Sequence, residues 1–169
     1  MLAIGIDNGI SGSIGILSKD GSIAEFILPP TKSEQNYTKT KKNITRIDYP
    51  KLVEIFEVYS HPDAFDKVTV HVMLERPMVN PGRLQATFSA LRAMEATLIM
   101  LEELRLPYEY LDSKAWQKML LPAGTKGSDE LKKASHDIGI RLFPQFKDQI
   151  EKQGDADGIL IAEYCRRVR

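Results

Sequence analysis

Short apolar runs broken by glycine dominate the first thirty residues. Leu2 to Ile6, Ser13 to Leu17 and Ile23 to Leu28 each have the length and composition of a strand. Gly9 and Gly12 part the first two, and Asp20-Gly21 marks a tight hairpin between the second and third. Polar residues then take over from Pro29 to about Thr45, a stretch containing Pro29-Pro30 that reads as a loop or insertion. Between Asp48 and Tyr59, Leu52, Val53, Ile55, Phe56 and Tyr59 recur at helical spacing. Val68, Val70, Val72 and Leu74 alternate with Thr69, His71, Met73 and Glu75, which predicts a strand that Pro77 and Pro81 end. Leu84 to Leu104 is the longest predicted helix, and Tyr108 to Leu111 a short strand. Ser113 is placed to cap a helix over Lys114 to Leu120, stopped by Pro122; Ser128 to Gly139 and Asp155 to Val168 complete the helices. Strands in hairpins followed by helix, strand, helix and strand predict a mixed five-stranded sheet, antiparallel through the hairpins and parallel through the crossovers. The expected fold class is therefore α/β, three layers, with helices flanking the sheet in one domain over 1–169.

Composition adds exclusions. With 43% hydrophobic and 27% charged residues, the chain is neither disordered, collagen-like nor a disulfide scaffold. Lys plus Arg is 23 and Asp plus Glu is 23, so no global charge points to nucleic acid, although charges can segregate locally. The one cysteine, Cys165, has no internal partner, which suggests a reducing compartment. No apolar run approaches the ~18 residues of a membrane span, and the N-terminus has no basic region of a signal peptide. The expected location is cytoplasmic.

Three acids interrupt apolar segments. Asp7 ends the first strand, Glu75 ends the fourth, and Asp157 opens the apolar helix Gly158-Ile159-Leu160-Ile161-Ala162. Ligand sites in parallel sheets gather at carboxyl strand ends, and carboxylates there can offset their burial cost by holding a hard cation through oxygen. Each acid also has an ordinary reading: Asp7 as a turn former, Asp155 and Asp157 as helix caps, Glu75 as the ion-pair partner of Arg76. The three together in this topology are not easily explained by caps.

The motif Ile4-Gly5-Ile6-Asp7-Asn8-Gly9, the strand end Leu74-Glu75-Arg76-Pro77 and the run Gly154-Asp155-Ala156-Asp157-Gly158-Ile159-Leu160-Ile161-Ala162 resemble the RuvC-type Holliday junction resolvases, most of all the small phage-encoded branch. The resemblance runs in order over nearly the whole chain and implies an RNase H-like fold. It also implies a crossover junction endodeoxyribonuclease that makes paired nicks with two Mg²⁺ ions per active site, Mn²⁺ substituting. Asp7, Glu75 and Asp157 would be the catalytic metal ligands, with Asp7 shared by both ions. Asn8 stands where that turn commonly has proline. The family also places an acid three or four residues before its last Asp, where this chain has Gly154 and Gln153. Asp155 is the leading substitute, Glu151 and Asp148 weaker ones. Asp155 precedes Asp157 by two residues, about 200° around an ideal helix, so it can join them only if the helix begins at or after it.

An all-oxygen set suits Mg²⁺, and His61, His71 and His136 make no metal-ligand spacing. No Ser-His or Cys-His arrangement supports covalent catalysis. DNA would meet local basic groups: Lys39, Lys41, Lys42 and Arg46; then Lys114, Lys118 and Lys126 with Lys132 and Lys133; and Arg166, Arg167 and Arg169 at the end. Any one of these also reads as a solvated surface charge. Ala123-Gly124-Thr125-Lys126-Gly127 lets backbone amides approach phosphate, and Met78 with Val79 could wedge into an opened junction. On the long helix, Leu84, Phe88, Leu91, Leu98 and Leu101 form an apolar stripe beside the small residues Ala86, Ala90, Ala93 and Thr97. That suggests contact with both the sheet and a second copy, a homodimer matching the two-fold junction; burial wholly within one chain is the alternative. Other functions remain open: a sugar-kinase or actin-like ATPase, for which one domain is too short; an RNase H-like nuclease on RNA–DNA hybrid or flap DNA; and a non-catalytic junction-binding module.

Overall fold

Alternation along the first strand decides what lies on each side of the sheet. The computed structural model describes residues 1–37, 39–60 and 68–169, so His61 lies outside the described residues. In chain order the elements are β1 (Leu2–Asp7), β2 (Ser13–Ser18), β3 (Ala24–Ile27), β4 (Thr31–Gln35), β5 (Asn43–Ile47), α1 (Tyr49–Ser60), β6 (Val70–Glu75), α2 (Leu84–Glu103), β7 (Tyr108–Leu111), α3 (Ser113–Leu120), α4 (Ser128–Leu142), α5 (Lys147–Gln153) and α6 (Asp157–Val168). The main sheet has five strands in the order β3-β2-β1-β6-β7. The β1–β2 and β2–β3 pairs are antiparallel, and β1–β6 and β6–β7 are parallel, the mixed sheet that the hydrophobic pattern predicts.

Leu2, Ile4 and Ile6 of β1 share one face with Ile14, Ile16, Val72 and Leu74, where they meet Leu52 and Phe56 of α1 and Met100 and Leu101 of α2. Ala3, Leu17 and Met73 face the other way, into α6 and the α3–α5 layer. On that second face Gly5 pairs directly with Gly15. A Cβ on Gly5 would fall 2.2 Å from the Ala162 nitrogen, one on Gly15 2.3 Å from the Ile159 Cα, and one on Gly158 2.4 Å from the Ser13 oxygen. The helix therefore lies backbone against backbone on two strands, with Ile159, Leu160, Ile161 and Ala162 fully buried. This close seating fixes where the start of α6 meets the end of β1.

Four local expectations are corrected. The stretch from Pro29 to Thr45 contains a second, two-stranded sheet, β4 with β5, in place of a loop. Its strands are largely exposed, so no apolar alternation announces it; a backbone ladder from Thr31↔Ile47 to Gln35↔Asn43 forms it, with Glu34 reaching across to Arg46 at 2.6 Å and along its own strand to Lys32 at 2.8 Å. Ser113 is the first residue of α3 and makes no cap; Asp112 precedes it, also without a side-chain cap bond. The helix from Ser128 runs on to Leu142, and α5, which the polar run Lys147–Gln153 does not advertise, follows it. The last helix begins at Asp157, leaving Asp155 in the entering loop.

The stripes on α2 divide differently from their sequence pattern. Ala93 and Thr97 pack inward with Met94, Met100 and Leu101, while Leu84, Phe88 and Leu91 stay exposed. Among the described residues, no helix is long and apolar enough to cross a membrane.

Candidate metal centre

Period two carries Asp7 onto the same face as Ala3 and Gly5, and Glu75 onto the same face as Met73, both at the carboxyl end of the sheet and toward α6. Gly154, at φ 91°, closes α5 in the left-handed conformation that glycine favours. The chain then turns through Asp155 into α6. Carboxylate oxygens of Asp7, Asp155 and Asp157 lie within 4.8 Å of one another. Glu75 stands beside this trio: its Oε2 accepts from Trp116 Nε1 at 3.0 Å, and it lines with Asp7 and Asn8 a cavity of about 330 Å³. Arg76, the ordinary ion partner for Glu75, is taken instead by Asp112 at 3.1 Å.

Neighbouring residues orient each acid. Ser135 on α4 donates to Asp157 Oδ1 and accepts from the Ala156 amide at 3.1 Å. Ser13 on β2 accepts from the Gly158 amide at 2.9 Å. Lys132, one turn before Ser135, brings its Nζ to 3.8 Å from Asp155 Oδ2. Gln153, at one of the two positions where the resemblance implies an acid, donates to the carbonyls of Ser11 at 2.7 Å and Gly12 at 3.1 Å, tying the end of α5 to the turn after Asp7. Asn8 donates to the Ala90 carbonyl on α2 at 3.1 Å, and its Oδ1 is buried with no donor. Glu151 lies 3.8 Å from Lys147 on the exposed side of α5, and neither it nor Asp148 belongs to the carboxylate trio.

Crowded carboxylates in low dielectric resist ionisation. Burial, then Asp157, Glu75 and Asp155, hold Asp7 well above the usual range. Burial raises Glu75 to about 7 against the pull of Trp116. Burial and then Asp155 raise Asp157 to about 6, and burial raises Asp155 while Lys132 opposes it. One cationic lysine is too little for four carboxylates. An all-oxygen donor set with unneutralised charge and an orphaned Asn8 oxygen fits a hard divalent cation.

These shifts set the pH dependence of the ion-free fold. Glu75 and Asp157 hold protons more tightly folded than at their ordinary values of 4.5 and 3.8. Their contribution is thus fully present below those values and is lost as pH rises through about 6 and about 7. In EDTA, thermal stability should fall between pH 5 and pH 8 by an amount on the order of 3 kcal/mol. A melting temperature that rises over that interval, followed by circular dichroism, contradicts the crowding.

The other predicted residues are dispersed. Lys114 and Lys118 border a groove with Gly124 and Thr125, and Lys126 is exposed on the same loop. Lys39, Lys41 and Lys42 are exposed where β4 turns into β5, and Arg46 is held by Glu34. Lys133 is exposed on α4. Arg166 and Arg167 both pair with buried Glu163, and Arg169 pairs with Glu109. Met78, 82% exposed, lines the cavity that holds Asp7 and Glu75; Val79 is 62% exposed beside it. His71 offers its carbonyl to Cys165, and His136 Nδ1 lies 3.0 Å from Asp137. Sequence reasoning missed Trp116, Ser135 and the approach of Lys132 to Asp155; the i, i+3 spacing of Lys132 and Ser135 was the only local signal.

No family model and no curated protein matches this sequence. Solved structures do. A Thermus thermophilus RuvC structure matches with a TM-score of 0.55 and 13% identity, covering 99% of this chain and 97% of that one. T. thermophilus RuvC in complex with Holliday junction substrate matches with a TM-score of 0.54 and 12% identity, covering 99% and 96%. The chain has the RuvC fold. On that RuvC-like sheet, β1 and β6 end side by side, and the acids converge where they end.

Proposed function

We propose that this protein is a metal-dependent, structure-selective DNA endonuclease of the phage-encoded resolvase kind. It resolves Holliday junctions and related branched DNA by paired phosphodiester nicks. The observation that carries this reading is the meeting of Asp7, Asp155 and Asp157, with Glu75 beside them, at the carboxyl ends of the central strands of a RuvC-like fold. A solved structure of the same fold holds a Holliday junction substrate, which supports branched DNA as the partner.

Asp7, the acid whose ionisation all three others oppose, would be the ligand common to the bound ions, with Glu75 and Asp157 as flanking ligands and Asp155 completing the set. Bound Mg²⁺, or Mn²⁺ in its place, would supply charge relief on the phosphoryl oxygens and an acidified water. The chain's own part is positioning. Ser135 and Trp116 fix the Asp157 and Glu75 carboxylates, and Lys132 offsets the charge of Asp155. Lys114, Lys118 and Lys126 on one side, and Lys39, Lys41 and Lys42 on the other, would hold phosphates without reading sequence; Arg46, already paired, contributes less. Exposed Met78 is the candidate wedge at the junction centre. The uncovered Leu84, Phe88 and Leu91 face supports a C₂ homodimer with two active sites, one for each nicked strand, working in the cytoplasm of a bacterium or a phage-infected host.

The direct test is cleavage of an end-labelled four-way junction with a mobile core, with Mg²⁺ and with EDTA, against linear duplex and RNA–DNA hybrid competitors. Symmetric nicks near the crossover only with Mg²⁺ are expected. Cleavage of hybrid or flap alone would replace the substrate, and tight binding without nicks would replace the enzyme with a binding module.

Trp116 is the only tryptophan in the chain. Adding Mg²⁺ should therefore change its emission, and Trp116→Phe should weaken Mg²⁺ binding by about tenfold or more in calorimetry. Equal affinity in the two proteins would remove Trp116 from the positioning of Glu75.

A further inference from the structure

The β4–β5 hairpin is more than a lysine-bearing tip. Between it and α2 opens a second cavity of about 320 Å³, lined in part by Tyr37, Arg46, Tyr49, Arg92 and Glu95. Ile10, three residues beyond Asp7, also lines it, and α2 borders both this cleft and the cavity of the metal centre. Arg46 is engaged by Glu34 at 2.6 Å. Arg92 is not so engaged at its Nε, which is buried without an acceptor, while its guanidinium carbon sits 6.0 Å from the centre of the Tyr37 ring. Tyr37 is itself 69% exposed, leaving ring surface free.

Three demands meet in this cleft. An unspent guanidinium donor calls for an anion, since a buried donor without an acceptor is costly. Two phenol rings beside Ile47, Ala93 and Ala96 call for a flat apolar body. Glu95 calls for an N–H donor. Inorganic phosphate answers only the first demand, and an apolar side chain only the second. A nucleotide answers all three, through its phosphate, its base plane and its exocyclic amine. Lys39, Lys41 and Lys42 follow Tyr37 on the exposed turn, where they can meet the phosphates on either side.

We propose that the cleft between the β4–β5 hairpin and α2 binds a single nucleotide of a DNA strand, with the phosphate on Arg92 and the base against the tyrosine rings. The proposal rests on the nuclease reading for the source of that strand, which would pass from the metal centre along α2.

The test uses full-length protein in EDTA, titrated by calorimetry with 2′-deoxyadenosine 5′-monophosphate, 2′-deoxyadenosine and inorganic phosphate. The nucleotide should bind more tightly than either fragment. Arg92→Met should weaken it by about tenfold or more, and Ala96→Leu, which fills the apolar lining, should do the same with an unchanged melting temperature. On junctions carrying 2-aminopurine at successive positions from the crossover, wild-type protein should raise the fluorescence at one position and Arg92→Met should not. Phosphate binding as tight as the nucleotide's, or nucleotide binding unchanged in both variants, overturns the proposal. Junction cleavage with Mg²⁺, measured in parallel, separates the two readings. Cleavage without nucleotide binding removes the cleft and keeps the nuclease; Arg92-dependent nucleotide binding without cleavage of any DNA keeps the cleft and removes the nuclease.

Discussion

Asp7→Asn is expected to lower junction cleavage by about 10³-fold or more while leaving junction binding within about twofold of wild type. Asparagine keeps the size of the side chain and its place at the end of β1 but removes the charge. That charge is the one on which the others converge, since Asp157, Glu75 and Asp155 all act on Asp7. With an amide there, the proposed site would lose the carboxylate central to its metal ligands, and Glu75, Asp155 and Asp157 alone would have to hold the cations. Binding should survive because the lysines proposed to hold phosphate lie elsewhere, on the groove beside α3 and on the hairpin turn. The variant should also be no less stable than wild type in EDTA, because a buried source of repulsion has gone. Gel-shift and cleavage assays on the same labelled junction separate the two properties, and full cleavage by Asp7→Asn would sink the bridging role.

Gly15→Val should cost about 3 kcal/mol of folding stability or more. Valine is a better strand residue than glycine, so local propensity predicts the opposite sign. The expected loss comes from tertiary structure alone: a Cβ at position 15 meets the Ile159 Cα at 2.3 Å and the Gly158 oxygen at 2.6 Å. These are backbone atoms in the first turn of a buried helix, and they cannot swing aside as a flexible side chain would. Either α6 lifts off the sheet or the β1–β2 pair bends. Both outcomes separate Asp157 from Asp7, so Mg²⁺ binding should fail together with stability. Urea unfolding with a midpoint equal to that of wild type would show that α6 does not seat on β2 as described.

The two experiments probe different sources of the same site, one chemical and one geometric. The geometric source is spread over glycines that carry no chemistry. Gly5, Gly15 and Gly158 let three backbones meet, and that meeting brings an acid from residue 157 to one at residue 7.

Much of this was legible in the residues themselves. Apolar alternation is a local consequence of the two-residue strand repeat, so the five strands, their mixed directions and the faces of Asp7 and Glu75 follow from the pattern of residues 2–28, 68–75 and 108–111. What the pattern could not express depends on where elements meet. The β4–β5 hairpin stays hidden because both its faces are mostly wet, and the ion pair that crosses it joins Glu34 to Arg46, twelve residues apart in sequence. The reach of Asp155 depends on α6 starting at Asp157, and thus on the left-handed Gly154 and the docking of Gly158, not on the helical spacing of the two acids. Trp116, Lys132 and Ser135 reach the carboxylates from helices more than twenty residues away in sequence, or more than forty in the case of Glu75. Periodicity is set by neighbours along the chain and can be read one residue at a time. The convergence of side chains on a shared site is set by packing between distant segments, and only the folded backbone determines it.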